Sequence, residues 1–252
     1  MGGAAVALSG GVDSTLLAKV AHDALGDRMV ALTLSLAGTP AAEIAEARAF
    51  CEAEGISRRV IEFDELAIPG FADNPPDRCY LCKRELFRRM AEEAAALCAG
   101  PLVDGSNTDD EGDYRPGMRA LAELGVRSPL REAGFSKADV RALARELGLA
   151  AWSRPSAACL SSRIPYGERI DRERLRAIET AEELLHELGF AQVRVRVHGN
   201  VARIEVERAE LCRLAEESVR DVVAARLREL GFSYVCADLV GFRSGSMNEV
   251  LA

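Results

Sequence analysis

Residues 9–15 read Ser-Gly-Gly-Val-Asp-Ser-Thr, directly after the apolar run Ala4 to Leu8 and directly before an amphipathic stretch. A strand passing through this loop into a helix makes a place for an anion. Gly10 and Gly11 let backbone N–H groups approach phosphate oxygens with no Cβ in the way. The helix that begins near Asp13 adds its positive dipole end, and Ser9, Ser14 and Thr15 offer hydroxyls beside Val12. A Walker-type loop would carry a Lys before the Ser or Thr, and none stands there. Asp13 cannot face a bare phosphate favourably, but it can hold a Mg²⁺ that bridges phosphates.

Two further groupings could do chemistry. Arg78-Cys79-Tyr80-Leu81-Cys82-Lys83 holds two thiols three apart between two cations, which favour thiolates. A redox pair, zinc ligands or part of an iron–sulfur site all fit that spacing. There is no second C-x-x-C for a closed zinc site, and one more thiol, for which Cys159 is the candidate, would make a three-thiolate set with one open iron. Cys51, Cys98, Cys212 and Cys236 fall on helical faces or in a strand and are expected to pack as small hydrophobes. Arg194 and Arg196 lie two apart on an alternating strand, so both project from one face while Val193, Val195 and Val197 project from the other. Paired guanidiniums suit a phosphate; the plain alternative is the wet face of a half-exposed strand.

The elements that must position these residues alternate between the two periodicities. Strands are expected over Ala4 to Leu8, Met29 to Leu34, Arg59 to Phe63 and Pro101 to Asp104. Helices are expected over Asp13 to Leu25, Ala41 to Glu54, Cys82 to Cys98 and Lys137 to Leu147. This is the pattern of a parallel sheet with helices on both faces, an α/β domain over residues 1–150. Asp64 to Arg78, with Pro69-Gly70 and Asn74-Pro75-Pro76, is expected to loop out over a site. From 151 to 252 the character changes to a smaller α+β domain. Its elements are a helix from Arg172 to Leu188, strands Gln192 to Val197 and Val201 to Val206 about a His198-Gly199-Asn200 turn, a helix from Ala209 to Leu230, and a strand from Tyr234 to Leu239.

The chain of 252 residues is 48% apolar and 29% charged, the mix of a soluble globular protein. No stretch approaches the roughly eighteen unbroken apolar residues of a membrane span, and no basic patch precedes an apolar run as in a secretory leader. The expected place is the cytoplasm. A net charge of −8 argues against a general nucleic-acid binder, though arginines can still gather locally around an anionic substrate. Seven scattered cysteines do not make a disulfide framework.

The Ser-Gly-Gly-x-Asp-Ser loop resembles that of the PP-loop pyrophosphatases, which grip the pyrophosphate of ATP while AMP is transferred. The stretch Pro129-Leu130 through Lys137 to Leu147-Gly148 is similar to a segment of many members, which implies Lys137 as a phosphate contact; a solvated helix-start lysine is the alternative. Three more blocks narrow the resemblance and, with the loop, span nearly the whole chain in order. They are Asp104-Gly105 through Asp110 to Asp113-Tyr114-Arg115-Pro116-Gly117, then Ser161-Ser162-Arg163-Ile164-Pro165-Tyr166-Gly167, and then Asp238 through Phe242-Arg243-Ser244-Gly245-Ser246-Met247-Asn248. They resemble the LarE-type sulfur transferases of nickel-pincer cofactor synthesis for lactate racemase. The resemblance implies adenylation of a carboxylate of pyridinium-3,5-biscarboxylic acid mononucleotide, followed by its conversion to a thiocarboxylate. It adds Ser162, Arg163, Glu205 and Arg243 to Arg194 and Arg196 at the substrate site, and it points to Glu182 as well, without giving the roles of the two glutamates.

One half of that family uses a sacrificial cysteine that becomes dehydroalanine. This sequence departs from that pattern in having the C-x-x-C and in separating Cys159 from Ser161-Ser162-Arg163 by Leu160 alone. It resembles instead the three-cysteine subtype, which implies a [4Fe-4S] cluster on Cys79, Cys82 and Cys159. The expected cofactors are therefore ATP, Mg²⁺ and the cluster. The expected partner is a small pyridinium mononucleotide, without nucleic acid or membrane, and the expected assembly is a homo-oligomer. A tRNA thiolation enzyme and a non-catalytic nucleotide sensor are the rival readings.

Overall fold

A computed structural model describes residues 2–112, 116–154, 158–243 and 245–251. Of the segments named above, Asp113-Tyr114-Arg115 and Ser244 lie outside the described residues. The chain divides into two units. One comprises Met1–Ile68 and Asp77–Ala157, the other Pro69–Pro76 and Ala158–Ala252.

In the first unit β1 (Ala4–Ala7) leads to α1 (Val12–Leu25), β2 (Met29–Ser35), α2 (Ala41–Glu54) and β3 (Arg58–Glu62). Then come α3 (Arg78–Ala96), β4 (Leu102–Val103), α4 (Pro116–Glu123), α5 (Pro129–Glu132) and α6 (Lys137–Glu146). The four strands form one parallel sheet in the order β3-β2-β1-β4. Successive side chains alternate across it. Val6, Met29 and Ala31 meet Leu16 and Leu17 of α1, Ala47 and Cys51 of α2, and Val140 and Ala144 of α6. Ala5, Leu32, Ile61 and Leu102 meet Met90 and Ala94 of α3 and Leu121 of α4 on the opposite face. Both faces are thus covered by helices, as the sequence predicts.

The second unit holds α7 (Arg172–Glu187), β5 (Val193–His198), β6 (Val201–Val206), α8 (Leu211–Leu214), α9 (Glu217–Glu229) and β7 (Tyr234–Ala237). β5 and β6 form an antiparallel hairpin, and β7 adds in parallel to β6. The single helix expected over Ala209 to Leu230 is broken. Residues 208–210 form a 3₁₀ turn, and Glu216 is extended (φ −60°, ψ 140°) between α8 and α9. Leu214 and Val223, both buried, are nine residues apart, about two and a half turns. On one unbroken helix they would face opposite ways, so the break lets both reach the core.

The Pro69–Pro76 segment also differs from expectation. It is not an open loop but a strip packed into the second unit. Asn74 is fully buried, in the left-handed region at φ 54° that asparagine tolerates better than most residues. Its Nδ2 donates to the carbonyls of Ile164 (3.1 Å) and Pro165 (2.6 Å), and its own carbonyl accepts from the Gly167 amide at 2.9 Å.

Candidate active site

The 9–15 loop folds on itself through its serines. The Ser9 amide donates to Ser14 Oγ at 3.2 Å, and Ser14 Oγ donates to the Gly11 carbonyl at 3.1 Å. Gly10 has φ 90°, and a Cβ there would lie 2.7 Å from the Glu43 carbonyl oxygen of α2, so both the turn and the close approach require glycine. No side chain caps α1 at Gly11. The first-turn amides of α1 therefore point their partial positive charge toward whatever occupies the loop.

Asp13 and Lys137 are brought together. Lys137 Nζ donates to Asp13 Oδ2 at 2.5 Å, and Asn107 Nδ2 donates to Asp13 Oδ1 at 3.0 Å. Lys137 opens α6, where Ser136 and Asp139 form a capping box, and its amide donates to Asp109 Oδ2 at 3.0 Å. It is therefore a fixed part of the loop's surroundings rather than a solvated helix start. The segment after β4 completes the arrangement. Asp104 is buried and accepts the hydroxyls of Ser106 and Ser128, each at 2.5 Å. The Asn107 amide donates to Asp110 Oδ2 at 3.0 Å. Gly105 lies so close to α1 that a Cβ would sit 2.8 Å from the Ser14 amide nitrogen. Asn107 and Asp109 were given no role by the sequence, although both lie in the Asp104 to Asp110 block that carries the family resemblance.

In the second unit a buried charge cluster forms around β5 and β6. Arg194 and Arg196 are not the wet face of a strand: they are 8% and 5% exposed. Arg196 donates through Nε (3.1 Å) and Nη2 (3.0 Å) to Glu205 Oε2, and through Nη1 to the Ser162 carbonyl at 3.1 Å. Arg163 makes a two-pronged pair with Glu182, Nε to Oε1 at 2.9 Å and Nη2 to Oε2 at 2.8 Å, and its Nη1 donates to Ser162 Oγ at 3.0 Å. The roles of both glutamates now follow. Glu182 fixes Arg163 and also accepts the Val195 amide at 2.8 Å, while Glu205 joins Arg196, Arg203 and Ser246. Arg203 and Arg243 flank Asp238, each with a nitrogen 3.7 Å from one of its oxygens. Arg194 lies over the Phe242 ring at 5.3 Å. Burial, reinforced by the like charge of Arg163, pushes its guanidinium pKa down to about 10. Burial likewise lowers Arg196 against the pull of Glu205.

Arg163, Arg194 and Arg196 gather with Glu182 and Glu205, and the half-buried Arg203 and Arg243 flank Asp238. Guanidiniums concentrated in low-dielectric surroundings suit an anion through charge-assisted hydrogen bonds. Ser161 Oγ, buried two residues from Arg163, has no hydrogen-bond partner among the described residues.

The family model for NAD synthase matches residues 1–72, the part that carries the loop. A pyridinium-3,5-bisthiocarboxylic acid mononucleotide synthase of Lactiplantibacillus plantarum is 41% identical over 248 residues, 98% of this chain and 89% of that protein. The chain belongs to the LarE-type sulfur transferases. An uncharacterised protein of Synechocystis is 43% identical over 248 residues, covering 98% of this chain and 92% of its own. A tRNA-specific 2-thiouridylase of Azorhizobium caulinodans is 31% identical over 222 residues, but these cover only 56% of that protein. This LarE-type chain is an ATP-dependent enzyme, and no helix among its described residues is long and apolar enough to cross a membrane.

The cysteines of this LarE-type chain are spread over both units. α3 starts at Arg78, four residues earlier than expected, which puts Cys79 in its first turn and Cys82 at the start of its second. The first turn is tied to α4, because the Tyr80 hydroxyl donates to Glu123 Oε2 at 2.8 Å and Arg119 stacks 3.8 Å above the Tyr80 ring. Cys159 is exposed in the second unit, where its carbonyl accepts from the Ser162 amide at 2.9 Å. Among the described residues no three His, Cys, Asp or Glu side chains stand together as a metal site. Cys51 is buried as expected, its thiol pushed up to about 11 by burial. Cys98, Cys212 and Cys236 are instead exposed and do not pack as small hydrophobes, because each lies at a helix end or on an outer strand.

Proposed function

We propose that this LarE-type enzyme uses ATP to adenylate a carboxylate of pyridinium-3,5-biscarboxylic acid mononucleotide and converts it to a thiocarboxylate for the nickel-pincer cofactor of lactate racemase. The observation that carries this reading is the gathering of the buried Arg163, Arg194 and Arg196 in one cluster. A mononucleotide brings a phosphate and carboxylates, the anions that such a cluster would hold through charge-assisted hydrogen bonds.

A carboxylate resists nucleophiles because it is already anionic and its oxygen leaves poorly. Attack of a carboxylate oxygen on the α-phosphorus of ATP forms the acyl-adenylate and breaks the bond to pyrophosphate. Ser9, Ser14, Thr15 and the α1 amides would hold the leaving pyrophosphate, and Lys137 would turn from Asp13 to offset its charge. Mg²⁺ fits Asp13, since each carboxylate oxygen accepts one hydrogen bond there and keeps a lone pair. Bound there it would neutralise charge on the phosphates.

A [4Fe-4S] cluster fits the donor chemistry of Cys79, Cys82 and Cys159, three thiols outside any disulfide, and would supply a replaceable sulfur nucleophile. Cys159 is carried by the turn whose Ser162 and Arg163 join the arginine set. In this reading the enzyme works in the cytoplasm as a homo-oligomer on a small molecule, without a nucleic-acid partner.

The test uses protein purified without oxygen and mixed with ATP, Mg²⁺ and the biscarboxylic mononucleotide. Pyrophosphate release, with replacement of one product oxygen by sulfur in the mass spectrum, supports the reading. Replacing Cys79, Cys82 or Cys159 by Ala should stop sulfur transfer while adenylation continues. Dehydroalanine at Cys159 with C79A still active would mean that the protein sacrifices its own sulfur, and absence of pyrophosphate release would sink the activity altogether.

A further inference from the structure

Glu65, in the 3₁₀ turn that follows β3, is only 1% exposed, and nothing in the chemistry above uses it. A carboxylate buried this deeply persists only where donors compensate it. Its donors are two consecutive backbone amides of the loop between β2 and α2. Oε1 accepts from Gly38 at 2.6 Å and Oε2 from Ala37 at 3.2 Å. One side chain therefore clasps the loop over residues 36–40 from the neighbouring strand end.

That loop borders the ATP site. In an open parallel sheet the ligand lies outside the carboxyl ends of the strands, near the point where strand order reverses. Here β1 is flanked by β2 and β4, and the phosphate loop leaves the end of β1. On the β4 side the space beside α1 is filled, since a Cβ on Gly105 would already lie 2.8 Å from the Ser14 amide nitrogen. A nucleotide anchored by its phosphates must therefore run toward β2. There it meets the 36–40 loop, whose Pro40 carbonyl accepts the Glu43 amide at 3.0 Å, in the turn of α2 that touches Gly10.

We propose that Glu65 is a positioning residue for the nucleoside half of ATP: by holding the Ala37 and Gly38 amides it sets the loop against which base and ribose dock. The proposal rests on the ATP reading of the first unit. It separates the two ends of the nucleotide, with Glu65 governing the nucleoside while the phosphate loop, Asp13 and Lys137 govern the phosphates.

Glu65→Gln is the informative change. It keeps the side chain's shape but turns an NH₂ donor toward one of two N–H groups, leaving that amide unpaired. Wild-type and variant protein are titrated with ATP and with inorganic tripolyphosphate, both with Mg²⁺, and amide exchange is followed without ligand. E65Q should weaken ATP about tenfold, the loss of one charge-assisted hydrogen bond. Its affinity for tripolyphosphate should not change, and the Ala37 and Gly38 amides should exchange faster. Unchanged ATP affinity would overturn the proposal, and so would equal weakening of both ligands, which marks a merely structural residue. If E65Q does not fold, Glu65→Asp, which keeps the charge on a shorter reach, is measured against the same outcomes. Wild-type protein that binds neither ligand would overturn the ATP reading itself, a result distinct from any of these.

Discussion

Lys137 and Asp13 are 124 positions apart in the chain and meet at 2.5 Å, Nζ to Oδ2. The lysine that opens α6 thus stands guard over the acidic residue of the phosphate loop, and without a nucleotide each neutralises the other. Both side chains remain partly exposed, so the pair is a reserve of charge for a ligand rather than a source of stability.

Lys137→Ala should lower the rate of pyrophosphate release by about one to two orders of magnitude through lost stabilisation of the leaving group. Asp13→Ala should abolish it by removing the metal's carboxylate. Stopped-flow or coupled pyrophosphate assays measure both. A D13A protein that turns over at the wild-type rate would remove Asp13 from the mechanism.

Arg194→Ala and Arg196→Ala should each weaken the phosphorylated substrate by about 1.5–3 kcal/mol, roughly tenfold or more, while leaving ATP affinity alone. Calorimetric titration of both ligands is the check. Equal losses for the two would reassign these arginines to the nucleotide.

Glu182→Ala strands the Arg163 guanidinium and the Val195 amide without their acceptor. Breaking a buried pair from one side should destabilise the protein by about 3–5 kcal/mol. Urea unfolding would measure it. The paired change Glu182→Leu with Arg163→Met should be milder than E182A alone, since no buried charge is then left behind.

His198 carries the pH prediction. Burial first, then the nearby Arg203, holds its imidazole pKa below the ordinary value of 6.5. The unfolded chain therefore binds the proton more readily than the folded one. The stability contribution is complete above pH 6.5 and is lost as pH falls below it through the folded value. His198→Asn should flatten that part of the stability curve, and thermal melts across the acid range would detect it. A wild-type curve with no histidine-dependent step there would contradict the shift.

What the sequence made legible was local. The phosphate loop announces itself because seven consecutive residues carry the whole geometry. The helix Ala41–Glu54 is found with both ends correct because its apolar phase and the glycine that follows are neighbours in the chain. Arg194 and Arg196 were put correctly on one strand face, but alternation says nothing about what covers that face. The cover comes in part from Ser162 and Ser246, 34 and 50 residues away from Arg196. Glu182 and Glu205 stayed without roles for the same reason: a carboxylate's partner is fixed by how a helix crosses a sheet, and no periodicity encodes that. Lys137, Ser162, Arg163 and Arg243 came from family likeness, which carries tertiary information that spacing alone lacks.

The strip from Pro69 to Pro76 bears on how the chain can be made and cut. Asn74 leaves the ribosome long before its acceptors, which lie 90 and 91 residues downstream at Ile164 and Pro165. During synthesis the first parallel strands can pair while this strip waits for its acceptors. A gene fragment that ends near residue 157 would keep the strip and lose its acceptors, and one that begins at 158 would leave a slot where Asn74 belongs. Complementation by separately expressed halves should improve when residues 69–76 are transposed to stand ahead of residue 158.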